Sequence, residues 1–475
     1  MNTRNQKIIT GALFTVFLCS LALLAVHIFP ELQPADGLSA PMKSLSQAGR
    51  YEKIAEIPLG KVEIRGYKQM GSTPGLVRLS PDGSRIVVGS ESGEVLLINL
   101  KGSLLWRRKI GMGKISALEF SRDSRSIIVG ENSQQGAIIC LETATGTERW
   151  RKASVVELGV DIRQRTFPGI MSIHADGAGN VYAVALRSIR RPSGKTYYFA
   201  RVYKFDSQGA MTLFPRDHNI DVWVSWCDVD EAGDTVAFAT SDYTPGPERK
   251  FKDNIYAYDA RTGELRWSRG LAPVAPYDRT NMRFGPEISA DGKFLGGVSA
   301  DGRAFLLDSE GKVLWSRTLS APQLIQGVYV NATGLHVRHI GEYVAFSTGN
   351  TYNRANWQLS TPVEHPQSNS VFLFDRDGII RKRRKLGGMA EELQVAGNYL
   401  AVAVGRNIRT KDPGVHGMVV FSTPEMEVLD VLRTEGPCVA VAVNETHIVG
   451  MEAPLQMDSG EVIGSYLIHV WKKTR

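Results

Sequence analysis

The stretch Leu79–Gly111, LSPDGSRIVVGSESGEVLLINLKGSLLWRRKIG, decides the fold. It opens with a turn, Ser80-Pro81-Asp82-Gly83, followed by the apolar run Ile86-Val87-Val88. A second turn, Ser90 to Gly93, leads into Val95-Leu96-Leu97-Ile98. A third, Lys101-Gly102, leads into Leu104-Leu105-Trp106. Short apolar runs bounded by Gly, Asp, Ser and Pro read as antiparallel strands joined by tight hairpins. The unit recurs after about 35–45 residues, and recurrence at that period predicts an all-β propeller of four-stranded blades.

The repeats follow one another to the end of the chain: Leu76–Gly113, Ser116–Ala153, Ile170–Pro215, Trp226–Gly270, Phe284–Leu319, Leu335–Gly388, Glu391–Thr434 and Cys438–Arg475. The last lacks a fourth strand. Tyr51–Leu59, YEKIAEIPL, aligns with the fourth strand KVLWSRTLS at Lys312–Ser320. A ring leaves two unpaired sheet edges unless it closes. The N-terminal strand 51–59 is therefore expected to complete the last blade of a propeller spanning residues 51–475. This predicts eight blades, or seven, because Gln323–Gly341 is poorly patterned.

Ahead of the repeats, Ile8–Phe29 is an almost unbroken apolar run. Its 22 positions suffice for a hydrocarbon core of ~30 Å at ~1.5 Å per residue. Arg4 and Lys7 precede it and Glu31 and Asp36 follow, so the positive-inside rule predicts a cytoplasmic tail (1–7), a transmembrane anchor (8–29) and a linker (30–50). The propeller is then extracytoplasmic, in the periplasm. A cleaved signal peptide fits less well: bulky His27-Ile28-Phe29 closes the run, and Leu38-Ser39-Ala40 runs into Pro41. Cys19 lies mid-segment behind Phe17 and Leu18, where a lipoprotein signal wants small residues.

The formal charge of +7 includes Arg4 and Lys7, and no basic stripe of the kind nucleic acid demands is present. Cys140, Cys227 and Cys438 sit in or beside apolar strand runs without a CxxC, which reads as buried free thiols rather than a disulfide framework or a zinc site. No HExxH, GxSxG or glycine-rich phosphate loop occurs. His336 and His339 are three apart in a strand-like run, a poor metal pair. Asp375-Arg376-Asp377-Gly378 falls where every repeat has a hairpin and reads as a turn rather than half a calcium loop. Arg381–Lys385, RKRRK, occupies an outermost strand, where cations block edge pairing; contact with an anionic lipid or polymer is the alternative. No catalytic, cofactor-binding or metal-binding residue is assigned.

Leu141–Trp150, LETATGTERW, and Tyr258–Trp267, YDARTGELRW, resemble the repeat of the quinoprotein (PQQ) propellers. There, strand three ends in Asp, the chain turns through Thr-Gly, and strand four carries Trp. The Ser-Pro-Asp-Gly and Ser-Ala-Asp-Gly turns at 80–83 and 289–292 also resemble WD40-like and TolB-like propellers. The resemblance spans the chain beyond residue 50 and implies a fold. The quinone-dependent dehydrogenases among these propellers carry adjacent cysteines, and no Cys-Cys occurs here. The same family includes a membrane-attached assembly factor of outer-membrane proteins that binds partners through its loops; its lipid-attachment signal is missing here.

Insertions fall on one side. The second-to-third-strand connections swell at Arg187–Tyr198, Ser241–Asp253, Thr348–Ser370, Gly405–Gly417 and Glu452–Gly464, while the opposite turns stay tight. Because strands alternate in direction, these connections and the segments between repeats (Ser154–Gly169, Leu271–Arg283) emerge on the same face. Loops that grow on one face of a rigid scaffold commonly carry binding, and Arg and aromatic side chains are favoured interface anchors. The candidate binding residues are Arg190, Arg191, Lys195, Tyr197, Tyr243, Arg249, Lys250, Tyr352, Arg354, Trp357, Arg406 and Arg409. The expected role is a protein-binding scaffold in a cell-envelope complex. The competing reading is a quinone- or ligand-binding enzyme or sensor with its site in the central funnel.

Overall fold

The tight turns close on their own side chains. The Ser80 hydroxyl donates to Asp82 Oδ1 at 2.6 Å, the Ser84 amide donates to the same oxygen at 2.9 Å, and the Gly83 amide donates to Ser80 O. Ser289 and Asp291 repeat the arrangement, as do Ser121 and Asp123. The hairpins between third and fourth strands are held by an aspartate: Asp308 Oδ1 accepts the amides of Glu310 and Lys312. Asp375 does the same for Asp377 and Ile379, so this segment is a turn. A short polar side chain here replaces the ladder bonds that the reversing backbone gives up.

The computed structural model describes residues 48–474 apart from 67–75, 191–195, 242–248, 276, 278, 279, 326, 352–363 and 406–414. The candidate anchor and most of the linker lie outside the described residues, and no helix among those described is long and apolar enough to cross a membrane. The described chain is all-β, with one helical turn at Val155–Leu158. Antiparallel four-strand sets succeed one another. They form six separate four-stranded sheets and one eight-stranded sheet, in which two sets meet through the single pair Gly169↔Asn132. Second and third strands are buried on both faces between neighbouring sheets, as in Arg85–Gly89 and Glu94–Asn99. This explains their continuous apolar runs. In the outer strand Leu104–Lys109, by contrast, Trp106 alone is buried.

Tyr51–Pro58 pairs antiparallel with Leu467–Lys473, from Tyr51↔Lys473 to Pro58↔Leu467, as the outer strand of the last set. Gln323–Gly341 is not featureless. It holds the hairpin Gln323–Ile325/Val328–Val330 and then the nine-residue inner strand Ala332–Ile340. Register shifts at Gly334 break the apolar alternation there, which is why the pattern is weak in sequence. Arg187–Tyr198 is not a loop throughout. The ladder continues through Arg187↔Phe199 to Arg190↔Thr196, carried by the strand formers Ile189, Tyr197, Tyr198 and Phe199. The insertion after Glu452 likewise folds on itself: Leu455–Gln456 pairs with Val462–Ile463 and, in parallel, with Arg65–Gly66.

Neighbouring sheets are joined by a recurring contact. The outer-strand tryptophan of one sheet lies under the hairpin glycine of the next. A Cβ built on Gly311 would sit 2.5 Å from the Trp267 ring, one on Gly378 2.6 Å from Trp315, and one on Gly209 2.9 Å from Trp150. These glycines also have φ near +80° (78°, 76° and 81°), so they are required twice over. In three cases the indole N–H also donates to a carbonyl of the same hairpin, Trp106 to Thr143 O, Trp267 to Ser309 O and Trp315 to Arg376 O, each at 2.9 Å, whereas Trp150 makes the packing contact without that bond.

Two substitutions separate the parts of this contact. Trp315→Phe keeps the ring under Gly378 and loses one hydrogen bond, an expected cost of about 1 kcal/mol. Gly378→Ala meets both the positive φ and the indole, and is expected to cost more, about 2–4 kcal/mol. Urea unfolding midpoints give the order, and a reversed order refutes the contact. A chain beginning at Gly60 lacks the closing strand and should melt well below one beginning at Ser46; equal melting temperatures refute closure by Tyr51–Pro58.

Candidate functional site

One position in each repeat faces the axis: the inner-strand residue paired with the third residue of the second strand, or, in the third repeat, with the second residue, Tyr182. Read around the ring it is Arg78, Glu119, His174, Asp228, Glu287, Arg338, Gln394 and Ala442. Seven of these eight are polar, at a register where neighbouring residues are apolar core. With the turns that follow them, they line an axial funnel of about 1170 Å³ on the tight-turn side. The periodicity was present in the sequence as a polar residue at one matching register of seven of the eight inner strands, and the loop-directed reading passed over it.

The funnel floor is knitted by charge. Arg78 pairs with Glu119 at 3.3 Å and with the fully buried Glu392 at 3.0 Å. Burial opposes the Arg78 charge, but Glu392 and Glu119 more than offset this and raise its pKa. Arg338 pairs with Glu287 at 2.7 Å and donates from Nε to Leu393 O. The carboxylates also tie inner strands together. Asp228 Oδ2 accepts the Ile288 amide at 2.7 Å, Glu287 Oε1 accepts that of His339 at 2.9 Å, and Glu392 Oε2 accepts that of Val441 at 3.0 Å. Glu392 Oε1 also accepts from the Gln394 side-chain Nε2 at 2.8 Å.

His174 Nδ1 lies 3.5 Å from Asp228 Oδ1. Burial, reinforced by Arg78 and Arg338, pulls the His174 pKa down to about 3, so the imidazole is neutral. Burial and the nearby Glu287 push the Asp228 carboxyl well above the usual range, against two backbone N–H groups and Arg338. Burial also raises Glu119, opposed by Arg78. Beside His174 an aromatic row runs from one repeat to the next: Trp226 at 4.6 Å from His174, Phe284 at 6.1 Å from Trp226, and His336 stacked on Phe284 at 4.5 Å. His336 is fully buried by that stack. No group of three His, Cys, Asp or Glu able to hold a metal occurs among the described residues. Cys140, Cys227 and Cys438 are buried and unpaired.

The opposite side carries a different chemistry. Segments linking one sheet to the next expose Met112 (96 %), Val156 (79 %), Ile162 (73 %), Leu324 (61 %) and Tyr329 (57 %). Ile64 and Val462 are exposed on the three-stranded patch built from Arg65–Gly66 and the last insertion. Connections between second and third strands share this side, as the bonds Val155 N to Gln135 O and Ser154 Oγ to Gly136 O show. Here the candidate binding residues divide. Arg190 is exposed at the tip of its hairpin, with Tyr197 half-buried across the same ladder. Arg249 is half-buried and Lys250 exposed, their segment tied down where Asp221 accepts the amides of Lys250 and Phe251. Arg191, Lys195, Tyr243, Tyr352, Arg354, Trp357, Arg406 and Arg409 lie outside the described residues. The exposed apolar residues were missed because single apolar residues between strands carry no periodic signal.

The basic run on Ile380–Lys385 is engaged locally. Arg381 pairs with Asp375 and Lys385 with Glu364, Arg383 donates to Pro366 O, and Arg384 donates to Met426 O of the next sheet.

A family model described as outer membrane protein assembly factor BamB matches residues 252–377. No curated protein sequence matches the chain. Among solved structures, BamB from Moraxella catarrhalis is 15 % identical, aligns over 89 % of this chain and 99 % of its own, and has a TM-score of 0.52. Sqt1 from Saccharomyces cerevisiae is 9 % identical, aligns over 86 % of this chain and 97 % of its own, and has a TM-score of 0.54. At such identities the likeness is one of fold: the chain is a PQQ-like, WD40-like β-propeller.

The raised Asp228 carboxyl makes stability depend on pH. A group with a raised folded-state pKa contributes stability fully below its unfolded value, ~4, and loses it as pH rises through the folded value. Asp228→Asn keeps an acceptor for Ile288 and removes the titration. The wild-type urea midpoint should fall between pH 5 and pH 9 by more than the variant's; parallel profiles refute the assignment.

Proposed function

We propose that the chain is an eight-bladed propeller that holds a protein partner in the cell envelope, docked on the side that carries the inter-sheet segments. In this reading each four-strand set is one blade. Ile8–Phe29 anchors the protein in the cytoplasmic membrane, N terminus inside, and the propeller lies in the periplasm. The observation that carries the docking side is the concentration of exposed apolar side chains on it, above all Met112, Val156, Ile162, Leu324 and Tyr329. Apolar groups set in a polar rim mark protein interfaces, and Arg190 and Lys250 supply such a rim. The partial match to the BamB family model is consistent with a protein-binding role.

Photo-crosslinking from Met112, Val156, Ile162 and Leu324 in cells should trap a partner, whereas probes at Asp82 and Glu310 on the opposite turns should not capture that same partner. Val156→Asp with Ile162→Asp should reduce its capture at least about tenfold without moving the melting temperature, in line with the loss of interface anchors. Capture confined to the tight turns sinks this reading. The anchor is checked separately: a C-terminal reporter active only outside the cytoplasm should work, and carbonate washing should leave the protein in membranes. A soluble form beginning near Leu38 refutes the anchor.

A further inference from the structure

We propose that the axial funnel on the tight-turn side is a second binding site, one that takes an arginine or lysine side chain on an extended segment of a protein partner. The site is independent of the apolar docking side and faces away from it.

Charge is the first argument. The funnel is lined by eight acidic and four arginine side chains, in a protein whose formal charge is +7. An acidic recess in a basic molecule, with low-dielectric walls, focuses a field that draws cations inward. The internal cations are already committed. Arg78 is shared by Glu119 and Glu392, and Arg338 serves Glu287. At the mouth, Arg122 pairs with Glu231 and Arg376 with Glu342. Asp228, on the floor, makes no ion pair with Lys or Arg among the described residues, and its one paired neighbour, His174, is neutral. The floor thus holds an acid with no cation of its own, kept protonated by burial until a cation arrives beside it to ionise it, in a cavity wide enough to admit one on a polypeptide.

Trp226 is the second, separate observation. It lines the same funnel, is 4 % exposed, and its indole N–H has no acceptor among the described residues. Trp106, Trp267 and Trp315 satisfy that donor on a carbonyl; Trp150, in an outer strand away from the funnel, shares the orphan donor but does not line the acidic recess. A buried unpaired donor costs about 1–3 kcal/mol, so a ligand supplying an acceptor is favoured here. A metal ion offers no acceptor. A basic peptide offers both parts, a cationic head for Asp228 and a backbone carbonyl for Trp226.

The test uses the full chain in detergent and a capped peptide of alternating Arg and Gly. Its controls are the same peptide with citrulline for arginine, and spermidine. Calorimetry at low salt should show binding of the Arg peptide that weakens as salt rises, and at least about tenfold weaker binding of the citrulline peptide. Asp228→Asn should weaken the Arg peptide about tenfold or more. Glu231→Gln with Glu342→Gln, both at the exposed mouth, should weaken it about threefold. Val156→Asp on the opposite side should leave it unchanged. If Asp228→Asn fails to fold, the Glu231/Glu342 variant decides. No binding at low salt, equal binding of the citrulline peptide, or indifference to both acidic variants overturns the proposal. Spermidine binding as tightly as the peptide also overturns it, because the funnel would then be a site for small organic cations.

Discussion

The seating of a tryptophan beneath a neighbour's hairpin glycine is the interaction on which the ring depends. Each four-strand set leaves two broad apolar faces that it cannot cover alone, and only stacking against neighbours buries them. Packing faces together does not by itself fix the angle between sheets. The Trp–Gly contact does, because a flat indole closes against a backbone with no Cβ and is then pinned by its own N–H. Arginines two residues further along reinforce it: Arg269 Nε donates to Gly311 O and Arg317 Nε to Gly378 O. The contact works at the perimeter, where a small change in angle moves most.

Where the contact is missing, the substitute says what the position must do. In the seventh repeat the tryptophan position holds Asp430, fully buried, with its carboxylate oxygens accepting the amides of Ala48 and Tyr51. A flat apolar ring could not take those donors, and an acid can. In the strand Tyr51–Pro58 the same position is Ala55, and Gly102 of the first repeat closes down upon its methyl group. The seam is thus sealed by a charged hydrogen-bond acceptor on one side and by a small side chain on the other. Thr474 adds a third stitch, its amide donating to Arg50 O.

How much of this could be read in the sequence follows from how each feature is encoded. Strands, turns and the repeat are local and recur, so the turn at Ser80–Gly83 and the run Val95–Ile98 announce themselves. The closing role of Tyr51–Leu59 was legible because the last repeat falls one strand short. The axial ring was written as openly, at one residue per repeat, but it is seen only after the repeats are aligned strand by strand. The pairing of Arg78 with Glu392, more than three hundred residues away, has no local trace. Exposed Met112 and Val156 are likewise ordinary in sequence, and acquire meaning from the side of the disc on which they fall.

The pairing of Tyr51 with Lys473 has a consequence in time. Tyr51–Pro58 is the first strand of the ring to be made, and its partner Leu467–Lys473 is the last strand of the ring to be made. At ~5–20 residues per second, translation leaves Tyr51–Pro58 without that partner for tens of seconds at the least. Throughout that interval the strand carries a free edge, and the growing stack of sheets remains an open arc. The lysine and glutamates of Tyr51-Glu52-Lys53-Ile54-Ala55-Glu56 suit a strand that must wait, since charge along an edge discourages pairing with the wrong chain. Completion is therefore tied to the arrival of Leu467–Lys473, and a chain lacking that strand keeps nearly all its sheets yet has no seam to close.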